Sequence, residues 1–264
     1  MVPAGSAPMP VSRIFQDYVR VRVQHQQEIW LKENLANLAA QHLPPDAKYV
    51  AFIDADVQFS RPDWVSETLH ALQHYHVVQM FSTAIDLSPT YEPLALHKGF
   101  AFCHQTDVPL PAGPEYFYGH HTTGASHNLW HPGFAWAWRR SALDAVGGLI
   151  DHGILGAGDN HMAKALVGRG KASYHPDMHP AYGQWIADWE ERAELHIKRN
   201  VGYIEGTLLH HWHGRKANRR YRDRWKILVD HQFDPDHDLK RNWRGVYTLS
   251  DRKPALRDDI RRYF

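Results

Sequence analysis

Residues 49–59 read YVAFIDADVQF. Tyr49 to Ile53 is an unbroken apolar run, and two aspartates, Asp54 and Asp56, follow it with only Ala55 between them. An apolar run without alternation is the pattern of a strand covered on both faces, the usual condition in α/β domains with parallel strands. In such sheets ligands gather beyond the carboxyl ends of the strands. The aspartate pair stands at that place.

The neighbouring sequence extends the pattern. Ser60 is placed to cap a helix, with Pro62 in its first turn, and the helix runs to about His74 with Trp64, Val65, Leu69 and Leu72 inward. Val77 to Phe81 is a second central strand, so strand, helix and strand make a βα repeat. Upstream, residues 14–23 alternate enough for a short strand, and Glu28 to His42 reads as a helix ended by Pro44 and Pro45. From Asp86 to Trp130 prolines and glycines interrupt every pattern, which predicts a long irregular loop, a feature that walls active sites. Phe134 to Trp138 resumes as a strand. Ser141 to Val146 is a short helix stopped by Gly147 and Gly148, and another helix begins near Asp159. Trp185 to Arg199 is helical, and Val201 to Leu209 is a strand that ends in HHWHG. Helix is expected again from Arg219 to Val229.

No internal repeat is visible. The expectation is therefore one α/β domain over residues 1–264, with a disordered leader over about 1–10, a mostly parallel central sheet flanked by helices, and a helical C-terminal extension over about 215–264.

Composition narrows the function. Of 264 residues, 43% are hydrophobic and 22% charged, and the net charge is +1, so no basic field points to nucleic acid and no acidic excess points to disorder. The single cysteine, Cys103, excludes an internal disulfide and fits a reducing compartment, so a cytoplasmic location is expected. No apolar run approaches 18 residues, and a transmembrane segment is not expected. The 21 histidines are unusual for this length.

Three constellations carry chemistry. Two carboxylates one residue apart can approach one Mg²⁺ or Mn²⁺ ion, and these ions bridge to substrate phosphates. The alternative is that Asp54 caps a turn and Asp56 faces solvent. Asp159 follows Gly156 and Gly158 at a helix start, where exposed N–H groups favour an ionised carboxylate. It is either a general base toward an acceptor hydroxyl or simply an N-cap. His210 and His213, three residues apart after a strand, can complete a mixed oxygen and nitrogen metal site, and are favoured over His211. Zinc is disfavoured because only one cysteine exists and no H-E-x-x-H occurs. Arg215 and Lys216, directly after the histidines, are placed to neutralise a diphosphate. Trp130 and His131 precede a strand and are candidates for the acceptor wall, with Asn160 beside Asp159.

The segment KYVAFIDADVQFSRPDWVSETLHAL resembles the D-x-D region of nucleotide-sugar glycosyltransferases of the GT-A fold, close to the family 2 type. HPGFAWAWRRSALDAVGGLIDHGILGAGDNHMAKAL, from His131 to Leu166, and LLHHWHG, from Leu208 to Gly214, are similar to the family's later acidic loop and its late metal histidine. The resemblance implies a Rossmann-like GT-A domain and transfer of a sugar from a nucleotide-linked donor, UDP-linked in expectation, to a glycan, lipid-linked, protein or modified-base acceptor. It implies Mn²⁺ or Mg²⁺ on Asp56, with Asp54 near the ribose or the metal and Asp159 as base. Two departures stand out. Only 53 residues precede Asp54, so the expectation is that the nucleotide site is shortened, or recognises the base poorly, or is completed by a protein partner. Where many inverting members carry Glu-Asp, this chain has Asp159-Asn160, and an amide takes no proton, which leaves the stereochemistry open. A non-catalytic carbohydrate-binding relative and a metal-dependent phosphoester hydrolase are the alternative readings.

Overall fold

The computed structural model describes residues 21–23, 27–109, 129–214 and 221–264. Its central sheet holds β1 (Tyr49–Ile53), β3 (Val77–Gln79), β6 (Ala135–Arg139) and β7 (Val201–Tyr203) in the order β1-β6-β3-β7. The apolar strands expected from the sequence are all present. Their directions are not those expected: β3 and β7 are parallel, but β6 runs antiparallel to both β1 and β3. The sheet is mixed rather than mostly parallel, and the protein has an α/β architecture of the broad Rossmann-like kind. The reason lies in connectivity. Between β3 and β6 the chain passes through a second sheet and re-enters the central sheet at the same end where it left β3, with Ala135 beside Met80, so β6 runs back against it.

Both faces of the central sheet are covered at the inner strands β3 and β6, whereas the edge strand β1 leaves Ala51 and Ile53 exposed, contrary to the reading of its apolar run. Val50, Val77, Trp136, Trp138 and Val201 pack into one hydrophobic cluster, while Val78, Ala135 and Ala137 pack into another. Phe134 does not share a face with Trp136 and Trp138. It lies before the strand and belongs to the second cluster.

The second sheet was not apparent in the sequence. It contains β2 (Val57–Phe59), β4 (Thr83–Leu87), β5 (Pro93–Lys98) and β8 (Thr207–His210) in the order β2-β8-β4-β5. Part of the expected irregular loop is thus a strand, β5, followed by a helix, α3 (Phe100–Gln105). The expected late strand from Val201 to Leu209 is two strands, β7 and β8. Between them Gly206 takes φ +151°, and a Cβ there would come within 3.0 Å of the Arg61 side chain. The pairs β1/β2, β3/β4 and β7/β8 all follow one plan: each chain segment passes from the central sheet to the second. Asp54 and Asp56 sit at the first of these joints.

The helices are α1 (Lys32–Ala40), α2 (Trp64–Ala71), α4 (Arg140–Val146), α5 (Gly158–Ala165) and α6 (Pro180–His196). Each is close to its expected place, though α1 and α2 are shorter at both ends. Ser60 does not cap α2; its Oγ accepts from the Thr207 N–H at 3.3 Å. The C-terminal segment contains α7 (Tyr221–Asp230), the short α8 (Pro235–Asp238) and α9 (Pro254–Tyr263). It also holds an antiparallel ribbon of β9 (Leu239–Arg241) and β10 (Tyr247–Leu249), so it is not purely helical. Residues 1–10 and the strand expected over 14–23 lie largely outside the described residues. Among the described residues no helix is long and apolar enough to cross a membrane.

Candidate metal centre

The pairing of β2 with β8 assembles the site. Val57 lies opposite His210 in an antiparallel register, and the His211 N–H donates to the Asp56 carbonyl at 2.8 Å. That register carries Asp56, His210 and His213 to one point. Asp56 Oδ2 lies 2.9 Å from His213 Nδ1 and 3.6 Å from His210 Nε2, and one ligand atom from each of the three falls within 4.8 Å of the others. Such a cluster of one carboxylate and two imidazoles could coordinate a divalent ion. Mixed oxygen and nitrogen donors suit Mn²⁺ better than Mg²⁺, which prefers oxygen.

His210 is buried, and its second nitrogen is also engaged. Nδ1 lies 2.8 Å from Asp86 Oδ1, and the other Asp86 oxygen lies 2.9 Å from His97 Nε2. Asp86 pairs with His210 across parallel strands β4 and β8, so both project from one face of the sheet. Burial works against a charge on His210, but Asp56 and Asp86 outweigh it and raise its pKa to about 8. In turn, the interaction with His210 holds Asp56 below the usual carboxylate range in spite of partial burial. A ring system connects this cluster to the rest of the site. Phe134 stacks on His131 with ring centres 4.1 Å apart and meets His210 at 4.6 Å.

Asp54 is not in the triad. Its carboxylate pairs with Lys32 Nζ at 2.5 Å and lines a small cavity of about 60 Å³ with Asp159, Glu33, Phe134 and Trp136. Burial pushes the Asp54 carboxyl up against the pull of Lys32, and Asp159 and Asp56 add to the rise. Burial works against the charge on Lys32, yet Asp54 and Asp159 raise its pKa overall. The backbone approaches Asp159 closely: a Cβ on Gly133 would sit 2.9 Å from Asp159 Oδ2 and 3.3 Å from the His131 ring. Asp159 Oδ1 also accepts the Asn160 N–H at 2.8 Å.

The acceptor candidates are placed as follows. His131 stacks as described. Trp130 meets Phe100 edge-on at 4.9 Å, and its indole N–H donates to the Pro109 carbonyl. The Asn160 side chain is buried and donates to the Ser173 carbonyl at 3.1 Å. Arg215 and Lys216 lie outside the described residues. Trp130, Phe134 and Ala157 all take positive φ, at 59°, 78° and 82°. Aromatic residues rarely hold this conformation; six other non-glycine residues elsewhere among the described residues share it.

Sequence reasoning passed over Lys32, Glu33, Asp86 and His97. Asp86 did give a signal, because an aspartate within TAIDL, Thr83–Leu87, is out of keeping with its buried neighbours. Lys32 and Glu33 gave none, since charged residues at a helix start are commonplace. Comparison with protein-family models, curated proteins and solved structures finds no match for this chain. The functional reading therefore stands on the geometry and on the motif resemblance.

Proposed function

We propose that this protein is a metal-dependent glycosyltransferase of the GT-A type, moving a sugar from a nucleotide-linked donor, UDP-linked in this reading, to an acceptor hydroxyl. The observation that carries the proposal is the approach of Asp56 to His213 and His210, at 2.9 and 3.6 Å, from segments far apart in the chain. In this reading Asp56, His210 and His213 hold Mn²⁺ or Mg²⁺, with Asp54 on the donor side. The ion supplies positive charge against the diphosphate that leaves. Asp159, across the small cavity from Asp54, accepts the proton of the acceptor hydroxyl as that oxygen attacks the sugar carbon. Lys32 tempers the repulsion between the two carboxylates. Arg215 and Lys216 are assigned to the diphosphate because they follow His213 in the chain. Trp130 and His131 are assigned to the acceptor wall, and Asn160 to the acceptor side through the helix start that it braces on Ser173.

The test is incubation with a panel of sugar nucleotides and Mn²⁺, with and without chelator. Nucleoside diphosphate release that depends on metal and is lost in Asp56→Ala is expected. Absence of any metal-dependent donor binding overturns the reading, and cleavage of phosphate esters without a sugar replaces it with a hydrolase. Two imidazoles with one carboxylate are also the donor set of non-haem Fe(II) sites. Turnover that requires Fe²⁺ and oxygen would favour that second reading.

A further inference from the structure

Helix α1 has a cavity on each of two faces. Lys32, Glu33 and Ala36 line the small one beside Asp54 and Asp159, whereas Asn34, Asn37, Leu38 and Gln41, at helical spacing, line another of about 240 Å³. Leu149 lines both. The larger cavity has room for several waters or for a small polar ligand.

Its lining is mainly polar, with donors and acceptors both present, and includes two tryptophans. Trp185 and Trp189 come from successive turns of α6. Their indole N–H groups are already committed, to Asp236 Oδ1 at 2.6 Å and to the Gly148 carbonyl at 2.8 Å; Trp189 is packed in the core, and the half-buried Trp185 is the indole with ring surface left for contact. Asp151 accepts from Asn37 at 3.3 Å and from the Tyr247 hydroxyl at 3.2 Å, and Arg241 lies 3.6 Å away. Gln41 and Arg192 are exposed and also line the cavity. His152 is 1% exposed, and its Nε2 has no hydrogen-bond partner among the described residues. A buried polar atom of this kind normally has a partner in native proteins.

We propose that this cavity is a saccharide-binding subsite, separate from the metal centre. The Trp185 ring suits the C–H face of a sugar ring. The carboxylate, amide and guanidinium groups suit its hydroxyls, and His152 Nε2 takes the innermost one. Arg241 offsets the charge of Asp151, so donors and acceptors are both present without a strong field. A hydroxyl uses both, whereas a simple anion would meet the Asp151 carboxylate. The inference stands on this lining and does not require the transfer reaction.

The test uses the whole chain without metal or donor. Glucose, galactose, N-acetylglucosamine and glucuronic acid are each titrated by saturation-transfer NMR. At least one is expected to bind with Kd in the range of about 1–10 mM. Gln41→Ala, a change at an exposed side chain, should weaken it about fivefold, and Trp185→Ala should abolish it while Mn²⁺ binding stays unchanged. No binding by any of the four overturns the proposal. So does binding that Gln41→Ala and Trp185→Ala leave unaltered. If Trp185→Ala fails to fold, the Gln41→Ala result alone decides.

Discussion

Asp86 and His210 face each other across parallel strands, with Asp86 Oδ1 2.8 Å from His210 Nδ1, and this contact turns His210 Nε2 toward Asp56. A carboxylate behind a metal-ligating histidine fixes the ring and raises its basicity, and losing it costs about 10–100-fold in metal affinity. Asp86→Asn is therefore expected to weaken Mn²⁺ binding by that factor, measured by titration with electron paramagnetic resonance. An unchanged affinity would remove His210 from the ligand set.

Asp56→Ala should abolish Mn²⁺ binding while the fold persists. The Asp56 side chain is 37% exposed, and partly exposed ion pairs contribute about 1 kcal/mol or less. The urea midpoint is thus expected to move little. A protein that unfolds on this change would show that the aspartate serves structure instead.

Glu33 gives the stability a pH dependence of definite sign. Burial lifts its carboxyl to about 7, against the pull of Lys32. Between pH 4.5 and 7 the folded state holds a proton that the unfolded chain has released, so stability falls as pH rises through that window. Glu33→Gln keeps an acceptor for the Trp30 indole N–H, which donates to Glu33 at 3.0 Å, and removes the charge. The stability difference between variant and wild type should grow in favour of the variant from pH 4.5 to 7, with a slope of up to about 1.4 kcal/mol per pH unit. Urea unfolding across that range measures it.

His152 acts with the opposite sign. Full burial pushes its imidazole down to about 3. Below pH 6.5 the unfolded chain takes up a proton that the folded protein refuses, so stability falls as pH falls toward 3. His152→Phe keeps the ring contacts with Tyr182 and Trp185 and removes this loss. The variant should resist acid unfolding better than the wild type, as read by circular dichroism between pH 6.5 and 3.

Ala157 precedes α5 with φ at 82°, a left-handed conformation that costs a residue bearing a Cβ about 1–2 kcal/mol. Glycine relieves that cost and gives part of it back as unfolded-state entropy. Ala157→Gly is expected to raise stability by about 0.5–1 kcal/mol and to leave Mn²⁺ binding unchanged. A lower thermal midpoint would show that the Ala157 methyl contributes more to packing than the backbone loses in strain.

Legibility in the sequence followed the range of the interactions. The strand before Asp54 was readable from its unbroken apolar run, although Tyr49–Ile53 lies at a sheet edge with Ala51 and Ile53 exposed and only Val50 buried. Helix α4 was readable because Gly147, at φ 82°, ends it. The strand from Pro93 to Lys98 was not readable. It is a sheet-edge strand with Pro93, Leu94 and Leu96 exposed and only His97 buried, and Pro93 and the preceding SPTYE disguise its start. Val201 to Leu209 read as one strand because its apolar pattern passes through Gly206 without showing that the backbone changes sheets there.

Residue chemistry was a local matter. The aspartates after the apolar run and the histidines after Leu209 could be named from the chain alone, since burial pattern and side-chain type are written residue by residue. Their meeting was not local. Only the antiparallel register of Val57 with His210 brings Asp56 to His213, and only the parallel alignment of Asp86 with His210 puts a carboxylate behind that ring. The direction of β6, the pairing of Lys32 with Asp54 and the two cavities along α1 were likewise settled by tertiary contacts. Such contacts depend on which distant surfaces can be buried together, and no short stretch of sequence encodes that balance.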